Sequence, residues 1–213
     1  MRRPKAGVVV FPGSNCDRDT LWAFEKAGFE ASYVWHRETD LRAYQVIALP
    51  GGFSYGDYLR PGALAAHSPV VKALGDFKGY VIGICNGFQV LTEAHILPGA
   101  LTKNLSGRFI CQWEELVVAN NDTPFTNAYE RGEIIRMPIA HSDGRFVSGG
   151  ASVRPVLRYL NNPNGSEDDI AAIISEDGRF FGTMPHPERA SDPLLGGTDG
   201  LKVFVSLYRA LST

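Results

Sequence analysis

The sequence predicts an α/β protein: a doubly wound, mostly parallel central sheet with helices on both faces and extra β structure in the second half. Three observations carry this expectation. Short apolar, β-branched runs alternate with amphipathic segments through the first half, the signature of parallel strands joined by crossover helices. Those runs end at tight turns, Pro12-Gly13, Pro50-Gly51-Gly52 and Gly83-Ile84-Cys85-Asn86-Gly87. Beyond residue 100 the period changes to strict alternation, which belongs to strands.

Residues 6–11 form a β-branched run that stops at Pro12-Gly13, as a buried parallel strand does. Asp17 is placed to cap a helix carrying Leu21, Phe24 and Ala27 at threefold spacing, and Gly28 closes it. Residues 29–35 read as a second strand and 45–49 as a third. A helix is expected between 61 and 76, a fourth strand over 80–84 and a helix over 86–94. Phe109, Cys111 and Trp113 then alternate with Ile110, Gln112 and Glu114. Further strands are expected at 134–140, 155–160, 170–175 and 180–184, and a final amphipathic helix over 199–211. Ser148-Gly149-Gly150 is a loop. No internal repeat or low-complexity tract interrupts the chain, so residues 1–213 read as one domain.

Apolar residues make up 44% of the 213 and charged residues 21%, enough for a core and too apolar for disorder. The net charge of −2 gives no general electrostatic reason to bind nucleic acid or an anionic membrane. No apolar run reaches the ~20 residues of a membrane span, and the apolar stretch after the basic N-terminus is too short for a signal-peptide core. Three cysteines, an odd number, suit reduced thiols in the cytoplasm.

Gly83-Ile84-Cys85-Asn86-Gly87 has the shape of a nucleophile elbow, in which a sharp strand-to-helix turn lifts a side chain above the sheet. Cys85 would stand at a helix N-terminus, where free N–H groups and the helix dipole favour thiolate. The Asn86 N–H could face a developing oxyanion, and Pro50-Gly51-Gly52-Phe53 could bring in a second N–H. The bland reading is a small buried residue beside a tight turn.

A thiol nucleophile needs a base, and there are five histidines. His36, His67 and His95 have no polar cluster beside them in sequence and read as surface or core residues. His141, in Ala140-His141-Ser142-Asp143-Gly144, could line a site. His186 has the best context, Met184-Pro185-His186-Pro187-Glu188-Arg189. Pro187 pushes His186 toward extended geometry, and residues two apart in an extended chain face one side, so His186 and Glu188 can pair as base and orienting carboxylate. Cys16 and Cys111 read as packing residues. No metal-ligand spacing or phosphate-binding glycine loop appears, so no metal or cofactor is expected in this chain.

Together these segments resemble the class I (triad-type) glutamine amidotransferases. Their Gly-x-Cys-x-Gly-x-Gln signature stands as Gly83 to Gln89, their His-x-Glu as His186-Pro187-Glu188 and their strand-ending Gly-Gly turn as Gly51-Gly52. Further stretches, among them Phe11 to Asp17, Phe53 to Arg60 and Asn120 to Thr126, place the resemblance nearest a branch acting in de novo purine biosynthesis, in order over nearly the whole chain. It departs at His141-Ser142-Asp143-Gly144, where many relatives have His-Gly-Glu-Gly, and at Pro61, where many have cysteine. The resemblance implies a flavodoxin-like glutaminase fold and Cys85 as nucleophile. It implies His186 and Glu188 as base and orienting acid, Gly52 and Asn86 as oxyanion donors, and Gln89 in substrate binding. It also implies glutamine as substrate, a large synthetase subunit that uses ATP and magnesium, and a small bridging subunit. The stretch from Phe53 to Tyr58 is expected to dock or gate. A stand-alone cysteine hydrolase of similar fold and a silent binding subunit stay open beside that reading.

Overall fold

The computed structural model describes residues 3–212. In chain order the strands are β1 (Lys5–Val10), β2 (Glu30–Trp35), β3 (Val46–Leu49), β4 (Tyr80–Ile84), β5 (Ala100–Thr102) and β6 (Ile110–Val118). Then follow β7 (Ile134–His141), β8 (Arg145–Val147), β9 (Arg154–Tyr159), β10 (Ile170–Ile174) and β11 (Phe180–Thr183). The helices are α1 (Asp17–Lys26), α2 (Pro69–Ala73), α3 (Asn86–Glu93) and α4 (Leu201–Ser212). Nine strands form one sheet in the order β2-β1-β3-β4-β11-β10-β9-β6-β7, and β5 pairs with β8 apart from it. From β2 to β11 every pairing is parallel; from β11 to β7 every pairing is antiparallel. The change in periodicity beyond residue 100 marks this change of topology.

Both faces of the sheet are covered, and two adjacent residues of β11 show it. Phe181 stacks on Phe125 with ring centroids 4.8 Å apart. A methyl on Gly182 would lie 2.1 Å from Phe88 of α3, so α3 packs so closely on the other face that only glycine fits beneath it. The segment that carries Phe125 is tied to α4 by Asn127 Nδ2 donating to the Ser206 carbonyl at 3.0 Å. Helix α1 joins α4 through Phe24 and Phe204, edge to face at 4.9 Å, and Phe29 meets Tyr208 the same way at 5.5 Å. Such aromatic pairs contribute about 0.5–1.5 kcal/mol each beyond their burial.

The structure corrects several local expectations. Asp17 is the first residue of α1 and not its cap; Cys16 takes the cap position without a side-chain hydrogen bond. Gly28 does close α1, at φ +101°. The single helix expected between 61 and 76 is a 3₁₀ turn, Ala65–His67, followed by the short α2. Ser68 precedes Pro69 and is forced extended (φ −62°, ψ 146°), which breaks the helix there. Strand β6 runs on to Val118, well past the alternating segment, and β5 and β8 are too short to leave a periodic signal. Cys111 faces solvent and does not pack in the core.

Candidate active site

Strand β4 lies between β3 and β11, so its carboxyl end opens near the middle of the parallel half. Open α/β sheets bind ligands at that edge. Cys85 is the next residue, and its N–H donates to the Thr183 carbonyl at 2.7 Å. Its backbone takes φ 48°, ψ −103°, a conformation closed to most residues with a Cβ. Two glycines make the turn possible. A methyl on Gly83 would lie 2.7 Å from the carbonyl carbon of Gly87, and one on Gly87 would lie 1.9 Å from the Leu49 carbonyl oxygen. Helix α3 starts at once with Asn86, whose N–H stands in the first turn, where no intrahelical acceptor exists. The Cys85 sulfur points toward the end of β7, 3.7 Å from the Ala140 carbonyl oxygen.

His186 and Glu188 are brought together as expected, by a different route. His186 is extended (φ −101°, ψ 91°), but a 3₁₀ turn, Pro187–Ala190, begins directly after it. That turn, and not a continuing strand, delivers the Glu188 carboxylate to His186 Nδ1 at 2.6 Å. Both side chains are buried, and His186 Nε2 and Glu188 Oε2 have no hydrogen-bond partner among the described residues. Burial works to lower the His186 pKa, yet Glu188 and the nearby Cys85 and Cys16 sulfurs outweigh it and hold the imidazole well above its ordinary value. His141 has the opposite character. Burial, aided by the charge of His186, lowers it to about 4, and its Nδ1 pairs with Asn104 Oδ1 at 3.1 Å. A methyl on Gly144 would lie 2.2 Å from the His141 ring, so this imidazole is neutral and packed.

The turn after β3 reaches the same place. A methyl on Gly51 would lie 2.7 Å from His186 Cε1, and Gly52 takes φ +142° against Ser14 and Asn15. Phe53 N–H donates to the Gly13 carbonyl at 3.1 Å, and Ser54 N–H to Asn86 Oδ1 at 3.2 Å. The loop that follows is a distorted 3₁₀ turn with positive φ at Tyr55, Gly56 and Asp57, and again at Leu59. Phe53, Tyr58 and Leu59 are exposed. The Tyr55 hydroxyl pairs with His36 Nδ1 at 3.0 Å, so His36 has a polar partner that its sequence context did not show.

Gln89 is buried with both ends of its amide engaged. Asn86 Nδ2 donates to its Oε1 at 3.0 Å, and its Nε2 donates to the Asp143 carbonyl at 2.7 Å. Asp57 was not singled out from sequence. It is half-buried, accepts weakly from Asn86 Nδ2 at 3.4 Å, and is pushed up to about 6 by burial and by Asp143. Cys16 was expected only to pack; it is buried but polar in its contacts, with Arg189 Nη2 2.9 Å from its sulfur. Among the described residues, Cys16, His186 and Glu188 are a trio that could hold a metal ion. Two surface hollows, lined by residues such as Tyr44 and Phe77 or Leu64 and His95, include none of the elbow, His186 or Glu188.

The structure thus sets a thiol on a strained strand-to-helix elbow, with a buried imidazole–carboxylate pair close enough to feel its charge. The chain belongs to the CobB/CobQ-like glutamine amidotransferase domain family, whose model matches residues 3–196. It is 54% identical over 212 residues to phosphoribosylformylglycinamidine synthase subunit PurQ of Thermotoga maritima, covering 98% of this chain and 99% of the relative. It is 51% identical over 222 residues to the PurQ subunit of Thermus thermophilus, covering 96% and 98%. Among solved structures it matches a chain of PurLQS from Thermotoga maritima with a TM-score of 0.94 at 55% identity, covering 99% of this chain and all of that one. Another glutamine amidotransferase of Thermotoga maritima shares the fold, with a TM-score of 0.63 at 15% identity over 99% of this chain and 98% of that one.

Proposed function

We propose that this chain is the glutaminase subunit of a phosphoribosylformylglycinamidine synthase, hydrolysing glutamine and passing ammonia to a separate synthetase subunit. The observation that carries the chemistry is the pairing of His186 with Glu188 at 2.6 Å, with its imidazole acted on electrostatically by the Cys85 sulfur. Glutamine lies with its side-chain amide over Cys85, and the thiolate attacks the carbonyl carbon. The N–H groups of Gly52 and Asn86 receive the oxyanion. His186, held protonated, gives its proton to the departing ammonia, leaving a glutamyl thioester on Cys85. The now neutral imidazole, oriented by Glu188, takes a proton from water, which attacks the thioester and releases glutamate. Gln89 serves the substrate pocket through the turn it holds at Asp143.

The partners follow from the PurQ and PurLQS relatives: a large synthetase subunit (PurL) and a small bridging subunit (PurS). In this reading ATP and magnesium are used by the synthetase, where ammonia converts formylglycinamide ribonucleotide to the amidine, in the cytoplasm. The loop from Phe53 to Tyr58 gates the site. It begins at the Gly52 donor, holds three residues at positive φ and presents exposed Phe53 and Tyr58 to a partner. Docking that brings one N–H into line is worth roughly 100- to 1000-fold in rate. The test is steady-state glutamine hydrolysis by the free chain and by the assembled complex loaded with synthetase substrates. The reading predicts a rise of that order on assembly. Equal turnover in both would favour a stand-alone hydrolase, and no turnover in either a silent binding protein.

A further inference from the structure

A second thiol, which takes no covalent part in the mechanism, stands against its base. The Cys16 sulfur, a ring nitrogen of His186 and a carboxylate oxygen of Glu188 all lie within 4.8 Å of one another, and all three residues are buried. Of the two ring nitrogens, Nδ1 is the one turned toward Gly51 and Glu188. A methyl on Gly51 would lie 3.2 Å from Cys16 Sγ and 3.4 Å from His186 Nδ1, so both atoms pack against Gly51. Nδ1 is also the atom that meets Glu188 at 2.6 Å. A second observation points to a ligand: Glu188 Oε2 is buried with no hydrogen-bond partner among the described residues, leaving a carboxylate oxygen able to coordinate.

Thiolate, imidazole and carboxylate together are a donor set suited to zinc. With bonds of about 2.0–2.3 Å and tetrahedral angles, the ligand atoms of a zinc ion sit roughly 3.3–3.6 Å apart. From separations of up to 4.8 Å the trio therefore needs to contract by roughly 1.5 Å at most, within the reach of side-chain rotation. We propose that Cys16, His186 and Glu188 form a binding site for zinc or a similarly thiophilic divalent cation, and that its occupancy shuts off glutamine hydrolysis.

Binding needs no change of oxidation state. The thiol proton of Cys16, now directed at Asn15 Oδ1, and the proton shared by His186 and Glu188 leave to solvent, and the metal takes their places. Arg189 must give up its contact with the sulfur. Asp19 offers it an alternative, with a carboxylate oxygen already 3.9 Å from Arg189 Nε. Displacing that cation weakens the site relative to a permanent structural zinc, which suits a reversible inhibitor. A His186 held by metal at Nδ1 has lost Glu188 as its orienting partner and cannot become the imidazolium that protonates ammonia.

The inhibitory half of this proposal rests on His186 being the base; the binding half does not, and the experiment separates them. In the full chain carrying Cys85→Ala and Cys111→Ser, Cys16 is the remaining thiol, since the sequence has three cysteines. Cobalt(II) titrated into this protein is expected to give a saturable thiolate-to-cobalt absorption band, displaced by zinc with one ion per chain. Zinc is also expected to inhibit glutamine hydrolysis by the assembled wild-type complex. Measured against its own zinc-free rate, the Cys16→Ser complex should need about tenfold more zinc or higher for the same fractional inhibition. Absence of the cobalt band from the Cys16-only chain would overturn the proposal. So would equal zinc sensitivity of wild type and Cys16→Ser, which would assign the metal to Cys85 and His186 instead. A band formed while zinc leaves the wild-type rate unchanged would support the site and overturn its inhibitory role, and with it the placing of His186 as base.

Discussion

The backbone strain at the elbow can be measured without any catalytic assay. Cys85 at φ 48°, ψ −103° lies outside the regions open to residues with a Cβ, and such a residue stores on the order of 1–3 kcal/mol. Alanine at this position keeps the strain; glycine removes it. Cys85→Gly and Cys85→Ala both lose the sulfur, so the difference between them isolates the backbone. Glycine carries an opposing penalty of about 0.5–1 kcal/mol from its freer unfolded chain. The difference is about 1 kcal/mol in favour of glycine, within a range of roughly 0 to 2.5. At an unstrained position the sign reverses, because only the entropy penalty remains. For a chain of this size 1 kcal/mol moves the melting midpoint by about 2–4 °C. Urea and thermal unfolding of the two inactive variants should therefore place glycine above alanine. A glycine variant below the alanine variant would refute the claim that the fold holds Cys85 under strain.

Three further outcomes follow. His186→Ala should lower glutamine turnover in the complex by about 1000-fold or more, whereas His141→Ala, which removes a neutral packed ring, should cost far less activity; a larger loss for His141 in folded protein would reverse the assignment of the base. His141 should also make the fold acid-sensitive. Its folded pKa of about 4 lies below the ordinary 6.5, so the unfolded chain binds the extra proton between those values and stability falls as pH drops. From pH 6.5 to 5 that loss is about 1.5 kcal/mol, and urea titrations at the two pH values should show it shrink in His141→Asn. Gly87→Ala, which would press a methyl to 1.9 Å from the Leu49 carbonyl oxygen, should destabilise by at least the roughly 1–3 kcal/mol of ordinary overpacking, seen as a lower urea midpoint.

The parts of the fold that were legible in sequence are those where local chemistry and long-range structure agree. Residues 80–84 read as a strand and are β4, because an apolar β-branched run between two glycine turns has no competing conformation. The helix expected at 61–76 failed because Pro69 constrains Ser68, a rule that the sequence contained but that apolar spacing alone did not weigh. Strands β5 and β8 draw their stability from each other and from neighbours distant in sequence, so three residues of pattern could not announce them. At the site, the elbow and the His186–Glu188 pair were visible because each is a short contiguous segment. Asp57 beside Asn86, Arg189 on the Cys16 sulfur and Tyr55 on His36 were not, since tertiary folding alone makes them neighbours. Cys111 looked like a core residue because it alternates with aromatic residues, but at that end of β6 it is exposed, and Phe109 is exposed with it.

The central claim is that Cys85 liberates ammonia for a reaction completed on another chain. The assembled complex carrying Cys85→Ala tests it most directly, with amidine formation followed using glutamine and then ammonium salt as nitrogen donor. The account predicts no glutamine-dependent product and an ammonia-dependent rate close to wild type, because the synthetase needs only ammonia. Glutamine-dependent product from the variant, or loss of the ammonia-dependent rate in an intact complex, would contradict it.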